Sequence, residues 1–563
     1  MNQKILVIGG SAAGPKAAAR ARRLDPHAEI TLLQKSSYFS MASCGYPYYV
    51  GGFFDDRNQL LATPTGVVRD TNFFLNAKGI NAISKTEAVE IDRKAKKVKA
   101  KNLTTGEYQD FFYDKLILAT GARPKLPPVP GADLEGVTTL QSMEDADFLR
   151  KVRDEKKIKE AVVIGGGLIG VETCEALHLA GIKITLVEMS PQILMFLDPE
   201  MAKLLENHIR AKATNVITNN RLTRFIGENG QLKEIELQDK SRIPCQLAVV
   251  AIGVTPNAEL AQKAGLKLGK SGAIKVNSYL ETSDKNIYAV GDCIEINNLL
   301  TEDAQYSPYG DLANLQGRVA AENAVRGRKA VFSGNINTGI CKVFDFAAGA
   351  TGLSESKARS RGLKVSTVIN ASQDKPGFMG GKLVISKIVV ETKSKRLLGY
   401  QCLGPGDVSK QIAQAAMAIQ GRMKLSDLVN LDLPYAPPFS LAIDHFIASA
   451  HILENKLHGL FTAISSKELY EKLTDGEKPF LLDLRGPDEF EEMRLGMGEK
   501  LIPLGALRKK LGELPADKNQ EIICYCKISL RGYEGARLLM GEGYTNVKVL
   551  EGGIVAWPYA REK

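Results

Sequence analysis

Two cysteines stand in sequence contexts that suit thiol chemistry. Cys44 lies in residues 40–49 (SMASCGYPYY), and Cys526 lies between the apolar run EIICY and residues 527–532 (KISLRG). A cysteine reacts as its thiolate, so each sulfur needs a helix N-terminus, a positive charge or a cofactor contact that lowers its pKa. Without such a contact, a lone cysteine is usually a small core residue. The chemistry of both therefore depends on the elements that position them.

The loop after Cys526 is short and folds back past its own sulfur. We expect it to direct several backbone N–H groups at the sulfur, and a helix predicted to begin near Tyr533 adds its dipole. This arrangement stabilises a thiolate or a persulfide anion, and Arg531 in the same loop is a predicted substrate contact. Cys524 alternates to the other side of the strand, where we expect it in the core.

Two glycine-rich loops, each between an apolar strand and a helix, predict nucleotide-binding folds. The first strand is residues 4–8 (KILVI), with a helix from Lys16 to Leu24, and the second is residues 161–164 (AVVI), with a helix through Leu179. Glycines there let backbone N–H groups and the helix N-terminus approach a pyrophosphate. A later strand, in IYAVGD, predicts that the first fold resumes after the second, which is inserted into it.

Length and composition limit the class of protein. A chain of 563 residues, with 44% hydrophobic and 25% charged residues, predicts about three to five globular domains. The net charge of +10 comes from 74 basic and 64 acidic residues spread along the chain, so we expect no nucleic-acid partner. Eight cysteines without C-x-x-C spacing fit a reducing compartment and predict no metal site.

The chain also lacks the patterns of a membrane or secreted protein. Its apolar runs are strand-length, so we expect no membrane span. The first apolar stretch breaks at Gly9 and Gly10 and runs into Lys16 and Arg20, without a small-residue cleavage site. We therefore predict no signal peptide and a cytoplasmic location.

These motifs, in this order, resemble the two-dinucleotide flavoprotein disulfide reductases over about residues 1–455. The resemblance implies that the first fold and the Gly291-Asp292 element hold FAD and that the second fold holds NADH or NADPH. Gln34 stands where an acidic residue usually binds the adenosine ribose. Glu188 has the equivalent place in the second fold, and its carboxylate suits a ribose diol and repels a 2′-phosphate, which favours NADH. Nearby Lys183 leaves NADPH open.

The resemblance assigns cofactor contacts to both folds. The implied FAD contacts are Gly9, Gly10, Ser11, Ala12, Gly14, Gln34, Lys35, Ser43, Ala119, Thr120, Gly121, Gly291, Asp292 and Ala313. The implied nicotinamide-cofactor contacts are Gly165, Gly167, Ile169, Gly170, Glu188 and Gly253. In the first loop a serine stands where the middle glycine would be, whereas the second loop is complete.

Residues 40–49 resemble the SF-x-x-CG-x-PY signature of the single-cysteine branch, which includes coenzyme A-disulfide reductases, NADH oxidases and persulfide reductases. Since there is no C-x-x-x-x-C pair, Cys44 has to form a mixed disulfide, persulfide or sulfenic acid with an external molecule. Oxidases and peroxidases of the branch carry a histidine where this chain has Ala12, which disfavours oxygen or peroxide. Coenzyme A-disulfide reductases usually have asparagine in place of Ser43 and a tyrosine near Met379, so coenzyme A stays open as a substrate.

The same resemblance gives roles to residues outside the cofactor loops. Tyr435, in the stretch YAPPFS, is implied to reach Cys44 of the partner subunit and to protonate a departing thiolate, which implies a homodimer. The alternative for this tyrosine is a structural aromatic in a proline-rich turn. Arg20, Arg23 and Ser40 are predicted substrate contacts, with solvated helix charges as the alternative for the arginines.

The last hundred residues resemble a single rhodanese domain. The resemblance rests on residues 481–485 (LLDLR), the stretch IPLGAL, residues 552–557 (GGIVAW) and the loop that begins at Cys526. It implies that Cys526 carries a sulfane sulfur, because rhodanese folds used only for docking usually lack this cysteine.

The predicted fold class is α/β, with two Rossmann-like FAD- and NAD(P)-binding domains, an α+β dimerisation domain and a C-terminal α/β rhodanese domain. The predicted boundaries are 1–148 with 270–330, 149–269, 331–455 and 462–563, with a linker near 456–461. The predicted function is NAD(P)H-dependent reduction of a persulfide or polysulfide, coenzyme A persulfide among them, through FAD and Cys44, with Cys526 handling sulfane sulfur. The alternatives are a coenzyme A-disulfide reductase, an NADH oxidase or, outside the enzymes, a sulfur carrier or redox sensor.

Overall fold

Residues 2–562 are described by the computed structural model, and they divide into two units. Of the described residues, 2–191 and 217–335 form the first unit, and 192–216 and 336–562 form the second. The predicted domain boundaries stay predictions, but residues 192–216 lie with the second unit although they fall inside the predicted NAD(P)H-binding domain. Among the helices of residues 2–562, none is both long enough and apolar enough to cross a membrane.

The first parallel sheet is built around the strand Lys4–Ile8. Its side chains are buried from Ile5 to Ile8, as expected for a parallel strand covered on both faces. After the second sheet the chain returns to this one, because Ile287–Ala289 pairs in parallel with Lys115–Leu118. The strand order is Ile287–Ala289, Lys115–Leu118, Lys4–Ile8, Glu29–Leu33 and Asn81–Ile83. The helices of this fold are Ala13–Leu24 and Gly310–Arg326.

The second sheet of the first unit repeats the design around Glu160–Ile164. This strand pairs in parallel with Lys183–Val187 and with Leu247–Val250, which pairs in turn with Val137–Thr138. Leu168–Leu179 is the helix that follows the second glycine loop.

Shorter elements complete the first unit. Its other helices are Tyr46–Gly51, Met143–Glu155 and Glu259–Lys263. Its smaller sheets contain Thr86–Asp92, Lys97–Asn102 and Tyr108–Phe112; Leu222–Glu228, Gln231–Leu237 and Arg242–Pro244; Ala122–Pro124 and Val254–Pro256; and Ile274–Lys275, Ile294–Asn297 and Ala304–Tyr306.

The second unit begins with an antiparallel sheet whose central strands are almost wholly buried. The strand order is Gly339–Val343, Phe346–Gly352, Leu397–Gly404, Leu383–Glu391 and Val365–Gln373. The associated helices are Pro199–Ala211, Glu355–Ser360, Val408–Gln420, Leu425–Leu428 and His445–Leu457.

The C-terminal part of the second unit is a parallel sheet with its own core. The strand order is Thr462–Ile464, Val547–Leu550, Ile522–Tyr525, Phe480–Asp483 and Lys500–Leu501. The helices are Ser466–Thr474, Pro487–Glu492, Leu504–Leu507 and Leu530–Gly541. Cys524 is buried in this core, as predicted.

The connection into this last sheet is tighter than the sequence predicts. The helix His445–Leu457 continues through Lys456, whose Nζ donates to the Thr367 carbonyl at 2.8 Å and pairs with Glu551 at 2.7 Å. Phe461 is buried in the C-terminal core. The linker near 456–461 therefore stays a prediction, although Lys456 lies in a helix and Phe461 is buried.

Candidate active site

Both glycine loops lead into helices that can receive an anion. Neither Ala13–Leu24 nor Leu168–Leu179 has a side-chain hydrogen bond at its N-cap or an acidic residue in its first turn. Their first backbone N–H groups are therefore free to face a pyrophosphate. Gly9 has a φ of 109°, and a Cβ added there would lie 1.9 Å from the Ala119 carbonyl oxygen. The loops thus fit the pyrophosphate groups of FAD and of a nicotinamide dinucleotide.

Gln34 and Glu188 close the two loops in the same way. The Gly10 N–H donates to Gln34 Oε1 at 2.9 Å, and the Gly166 N–H donates to Glu188 Oε2 at 2.7 Å. Glutamine therefore keeps the loop contact that the acid makes in the second fold. Only Glu188 brings a negative charge, and its other oxygen accepts the Ser190 N–H at 2.7 Å.

Most of the other predicted FAD contacts lie at the carboxyl edge of the first sheet. The Ala119 N–H donates to the Ile8 carbonyl at 2.7 Å, and Thr120 and Gly121 follow. Asp292 is half-buried, and burial raises its pKa to about 6. The first loop contributes Ser11, Ala12 and Gly14. Ala313 lies beside Gly291, and Lys35 pairs with Glu87 at 2.8 Å. Their contact with FAD stays a prediction.

The second loop combines close packing with open space. A Cβ on Gly170 would lie 1.9 Å from the Gly165 carbonyl oxygen, so only glycine lets the helix approach the strand. A Cβ on Gly167 or Gly253 would meet nothing within 4 Å, and Ile169 is exposed. This open side has room for a nicotinamide cofactor.

Cys44 is exposed in the short turn Ser43–Gly45, directly before the helix Tyr46–Gly51. Ser40 returns the segment to the first loop, since its N–H donates to the Gly10 carbonyl at 2.7 Å. A Cβ on Gly310 would lie 3.5 Å from the Cys44 Sγ. The sulfur therefore lies beside the first residue of the helix Gly310–Arg326, and glycine leaves it accessible.

Acidic groups surround this thiol. Cys44 as a whole residue is exposed, but partial desolvation of its sulfur raises the pKa of the thiol. The charges of Glu172 and Asp292 raise this pKa further. Glu172 accepts a hydrogen bond from Tyr48 Oη at 3.2 Å, and burial raises the pKa of Glu172 to about 7. The protein groups thus favour the thiol, opposite to the low pKa expected from the sequence. Sequence reasoning missed Glu172 and Tyr48, although Tyr48 lies within residues 40–49 and Glu172 follows the second glycine loop by two residues.

Cys526 is fully buried inside its loop. The helix after it begins at Leu530, three residues before the predicted start. The reason is Ser529, which takes a left-handed conformation with φ of 78° and donates from Oγ to the Leu550 carbonyl at 2.7 Å. The Ile554 N–H donates to the Cys526 carbonyl at 2.9 Å and closes the other side.

Arg531 therefore lies in the first turn of this helix and faces Cys526. Its two terminal nitrogens pair with Glu489 at 2.6 and 2.8 Å. Glu489 raises the pKa of Arg531, and Cys526 raises it further, while Arg531 lowers the pKa of Glu489 to about 2. A fixed cation beside the sulfur suits an anionic persulfide. Glu489 was not predicted from the sequence.

Tyr435 lies in the second unit and is 55% exposed. It borders a cavity of about 260 Å³ whose polar lining includes Ser440, Asp444 and His451. An exposed aromatic with a hydroxyl group is able to contact another molecule. Its role as a proton donor stays a prediction.

The predicted arginine contacts differ in their surroundings. Arg20 Nε donates to Glu322 at 3.1 Å, whereas Arg23 is exposed. The six cysteines outside the two thiol sites are buried, namely Cys174, Cys245, Cys293, Cys341, Cys402 and Cys524. Within residues 2–562, no cluster of three or more histidine, cysteine or acidic side chains is placed to hold a metal ion.

Sequence models of known families match most of the chain. The pyridine nucleotide-disulphide oxidoreductase model matches residues 3–315, its dimerisation domain matches 338–446, and the rhodanese-like domain matches 465–559. The chain therefore belongs to the pyridine nucleotide-disulphide oxidoreductases and carries a rhodanese-like domain. This confirms the predicted family and fold class and makes the protein an FAD-dependent NAD(P)H oxidoreductase.

Several relatives and solved structures are similar to this chain over most of its length. An NADH oxidase of Methanocaldococcus jannaschii and an NAD(P)H coenzyme A polysulfide/persulfide reductase of Pyrococcus horikoshii are each 32% identical and cover 81% of this chain and 99% of their own. A NAD-dependent persulfide reductase from A. fulgidus superimposes with a TM-score of 0.93 and 42% identity, covering 99% of this chain and 100% of its own. The Bacillus anthracis structure described as reduced CoADR-RHD has a TM-score of 0.91 and 34% identity, covering 99% and 98%.

Proposed function

We propose that this protein is an NAD(P)H-dependent persulfide or polysulfide reductase with Cys44 as its redox thiol. The observation that carries the proposal is the presence of two thiol sites in one chain. Cys44 is exposed beside the cofactor loops, and Cys526 lies next to the cation of Arg531. The second site suits sulfane sulfur, so it favours a persulfide over a plain disulfide as substrate. The printed names of the Pyrococcus horikoshii and A. fulgidus relatives support this choice.

The proposed reaction takes place on the Cys44 sulfur. The thiolate attacks the terminal sulfur of R–S–SH, the S–S bond breaks, and R–S⁻ leaves and takes up a proton. Cys44 now carries the sulfane sulfur, and two electrons release it as sulfide and restore the thiolate. When bound at the two glycine loops, FAD and the nicotinamide cofactor would supply these electrons. The sum is RSSH + NADH + H⁺ giving RSH + H₂S + NAD⁺.

Other residues of the chain bind, orient and protonate in this scheme. Tyr435, from the partner subunit of a homodimer, protonates the departing thiolate. Cys526 takes sulfane sulfur from a donor and passes it to a carrier thiol or toward Cys44. Arg531, held by Glu489, stabilises the anionic persulfide on Cys526.

We further propose NADH as the preferred electron donor and coenzyme A persulfide as a candidate substrate in the cytoplasm. The charge of Glu188 opposes a 2′-phosphate. Arg23 is exposed and able to contact a phosphate, Arg20 would have to exchange Glu322 for one, and Ser40 lies in the Cys44 segment. The name of the Pyrococcus horikoshii relative supports coenzyme A.

Anaerobic turnover of cysteine variants tests the proposal. NADH consumption and sulfide release are followed with a small persulfide as substrate, in Cys44→Ser, Cys526→Ser and, as a control, Cys245→Ser. We expect Cys44→Ser to lose sulfide release by roughly three orders of magnitude. Cys526→Ser should keep reduction of a supplied persulfide but lose sulfur uptake from a donor such as thiosulfate.

Two outcomes would contradict the proposal. Full NADH-dependent sulfide release without Cys44 would remove its central residue. Turnover that requires oxygen and is indifferent to persulfide would favour the oxidase activity named for the Methanocaldococcus jannaschii relative.

A further inference from the structure

Two helices bring a carboxyl group and a phenol together next to Cys44. Tyr48 lies on the helix Tyr46–Gly51, four residues after Cys44, and Glu172 lies on the helix Leu168–Leu179. These helices pack against each other, and Tyr48 Oη donates to Glu172 Oε1 at 3.2 Å. The cofactor loops and the proposed reaction leave this pair without a role.

The charges that face the thiol come from three elements. Glu172 acts on Cys44 from its helix, Asp292 from the end of the first sheet, and Asp311 from the first turn of Gly310–Arg326. Among these charges Glu172 has the largest effect. Its own neighbours are Tyr48, whose hydrogen bond favours the carboxylate, and Glu175, whose charge opposes it.

We propose that Glu172, held by Tyr48, is the positioning residue that decides how readily Cys44 gives up its proton. Ionised Glu172 opposes the thiolate, whereas protonated Glu172 does not. The two groups therefore titrate as a coupled pair, in which forming the thiolate also makes Glu172 retain its proton. The inference rests on the proposed role of Cys44 as the redox thiol, and it names what controls the nucleophile.

The pair predicts a break in the pH profile of Cys44 reactivity. Below the pKa of Glu172, which is about 7, the logarithm of the alkylation rate rises linearly with pH. Above this pKa it rises with the same slope, but the rate is lower than the first line would extrapolate to. The reason is that Cys44 then loses its proton in the presence of the negative charge of Glu172. Asp292, with a pKa of about 6, contributes a separate break at lower pH.

Iodoacetamide alkylation of the FAD-loaded protein tests this without turnover. The Cys526→Ser background removes the second thiol site, the six other cysteines are buried, and peptide mass mapping confirms modification at Cys44. Glu172→Gln should remove the break near pH 7 and speed alkylation above that pH roughly three- to tenfold. Tyr48→Phe should move the break to higher pH, because the carboxylate loses its hydrogen bond.

Glu144→Gln is the matched control, since Glu144 is an exposed acid whose charge acts on Tyr46. Superimposable profiles of Glu172→Gln and Glu144→Gln would overturn the proposal. If Glu172→Gln does not fold, a break that stays at the same pH in Tyr48→Phe would also overturn the proposal. Alkylation reports the thiol itself, so a failure here is separate from loss of persulfide turnover in Cys44→Ser, which concerns the proposed function.

Discussion

Gln34 and Glu188 hold equivalent positions in the two nucleotide-binding folds, and both accept an N–H from their glycine loop. Loop closure therefore needs only an oxygen acceptor, and we propose that the charge of Glu188 selects the cofactor. The neighbouring Met189 is 70% exposed, so a substituted side chain there has room.

We expect Glu188→Gln, which keeps the loop acceptor, combined with Met189→Arg to shift the cofactor preference toward NADPH. The change removes a charge that repels the 2′-phosphate and adds one that attracts it, which should raise the NADPH-to-NADH ratio of kcat/KM roughly tenfold or more. Lys183→Met is the control, because Lys183 Nζ is bound to Glu160 at 3.0 Å. We expect the NADPH-to-NADH ratio of kcat/KM to stay unchanged in this variant. An unchanged ratio in the double variant would show that Glu188 does not select the cofactor.

The contrast between Cys44 and Glu172 shows which site residues a sequence can reveal. Cys44 is found because its neighbours form a contiguous motif after a strand. Glu172 comes from a helix 128 positions later in the chain, and it is separated from its contact Tyr48 by 124 positions. Such a pair depends on the packing of two helices, and nothing in either local pattern specifies that packing.

Elements were predicted well where hydrophobic periodicity and glycine loops define them. Residues 4–8 and 161–164 form strands, and the helices after both loops end at Leu24 and Leu179 as expected. The helix start at Leu530 was missed because a serine, and not the usual glycine, takes the left-handed turn at 529. Its hydroxyl bond to Leu550 offsets part of the strain.

The helix His445–Leu457 anchors the rhodanese-like domain through Lys456. We expect Lys456→Met to destabilise that anchoring by about 1–3 kcal/mol, because Glu551, only 6% exposed, would keep its charge without a partner. The readout is the rate of limited proteolysis at residues 458–460. Lys467→Met removes an exposed pair with Glu471 and should change the rate by less than about twofold. Equal cleavage of the two variants would contradict the anchoring role.

At the scale of the whole molecule, the sequence predicts a second nucleotide fold inserted into the first, and Ile287–Ala289 pairs with the first sheet. It did not predict that residues 192–216 lie with the second unit. Asp198 and Glu200 of this segment belong to a buried charge cluster that no local pattern encodes. Lys387 Nζ contacts Asp198 at 3.2 Å, Glu200 at 2.5 Å and Glu355 at 2.6 Å.

Lys387→Met tests whether this cluster holds residues 192–216 in the second unit. Burial alone would lower the pKa of Lys387, but Glu200, Asp198 and Glu355 raise it, so the lysine is charged and its loss leaves the carboxylates opposing one another. We expect a loss of about 3–5 kcal/mol, seen as faster hydrogen exchange in the helix Pro199–Ala211 of the FAD-loaded protein. Lys382→Met, at an exposed position just before the same strand, should leave exchange unchanged. Equal protection of this helix in both variants would mean that apolar packing, and not the charge cluster, keeps residues 192–216 in place.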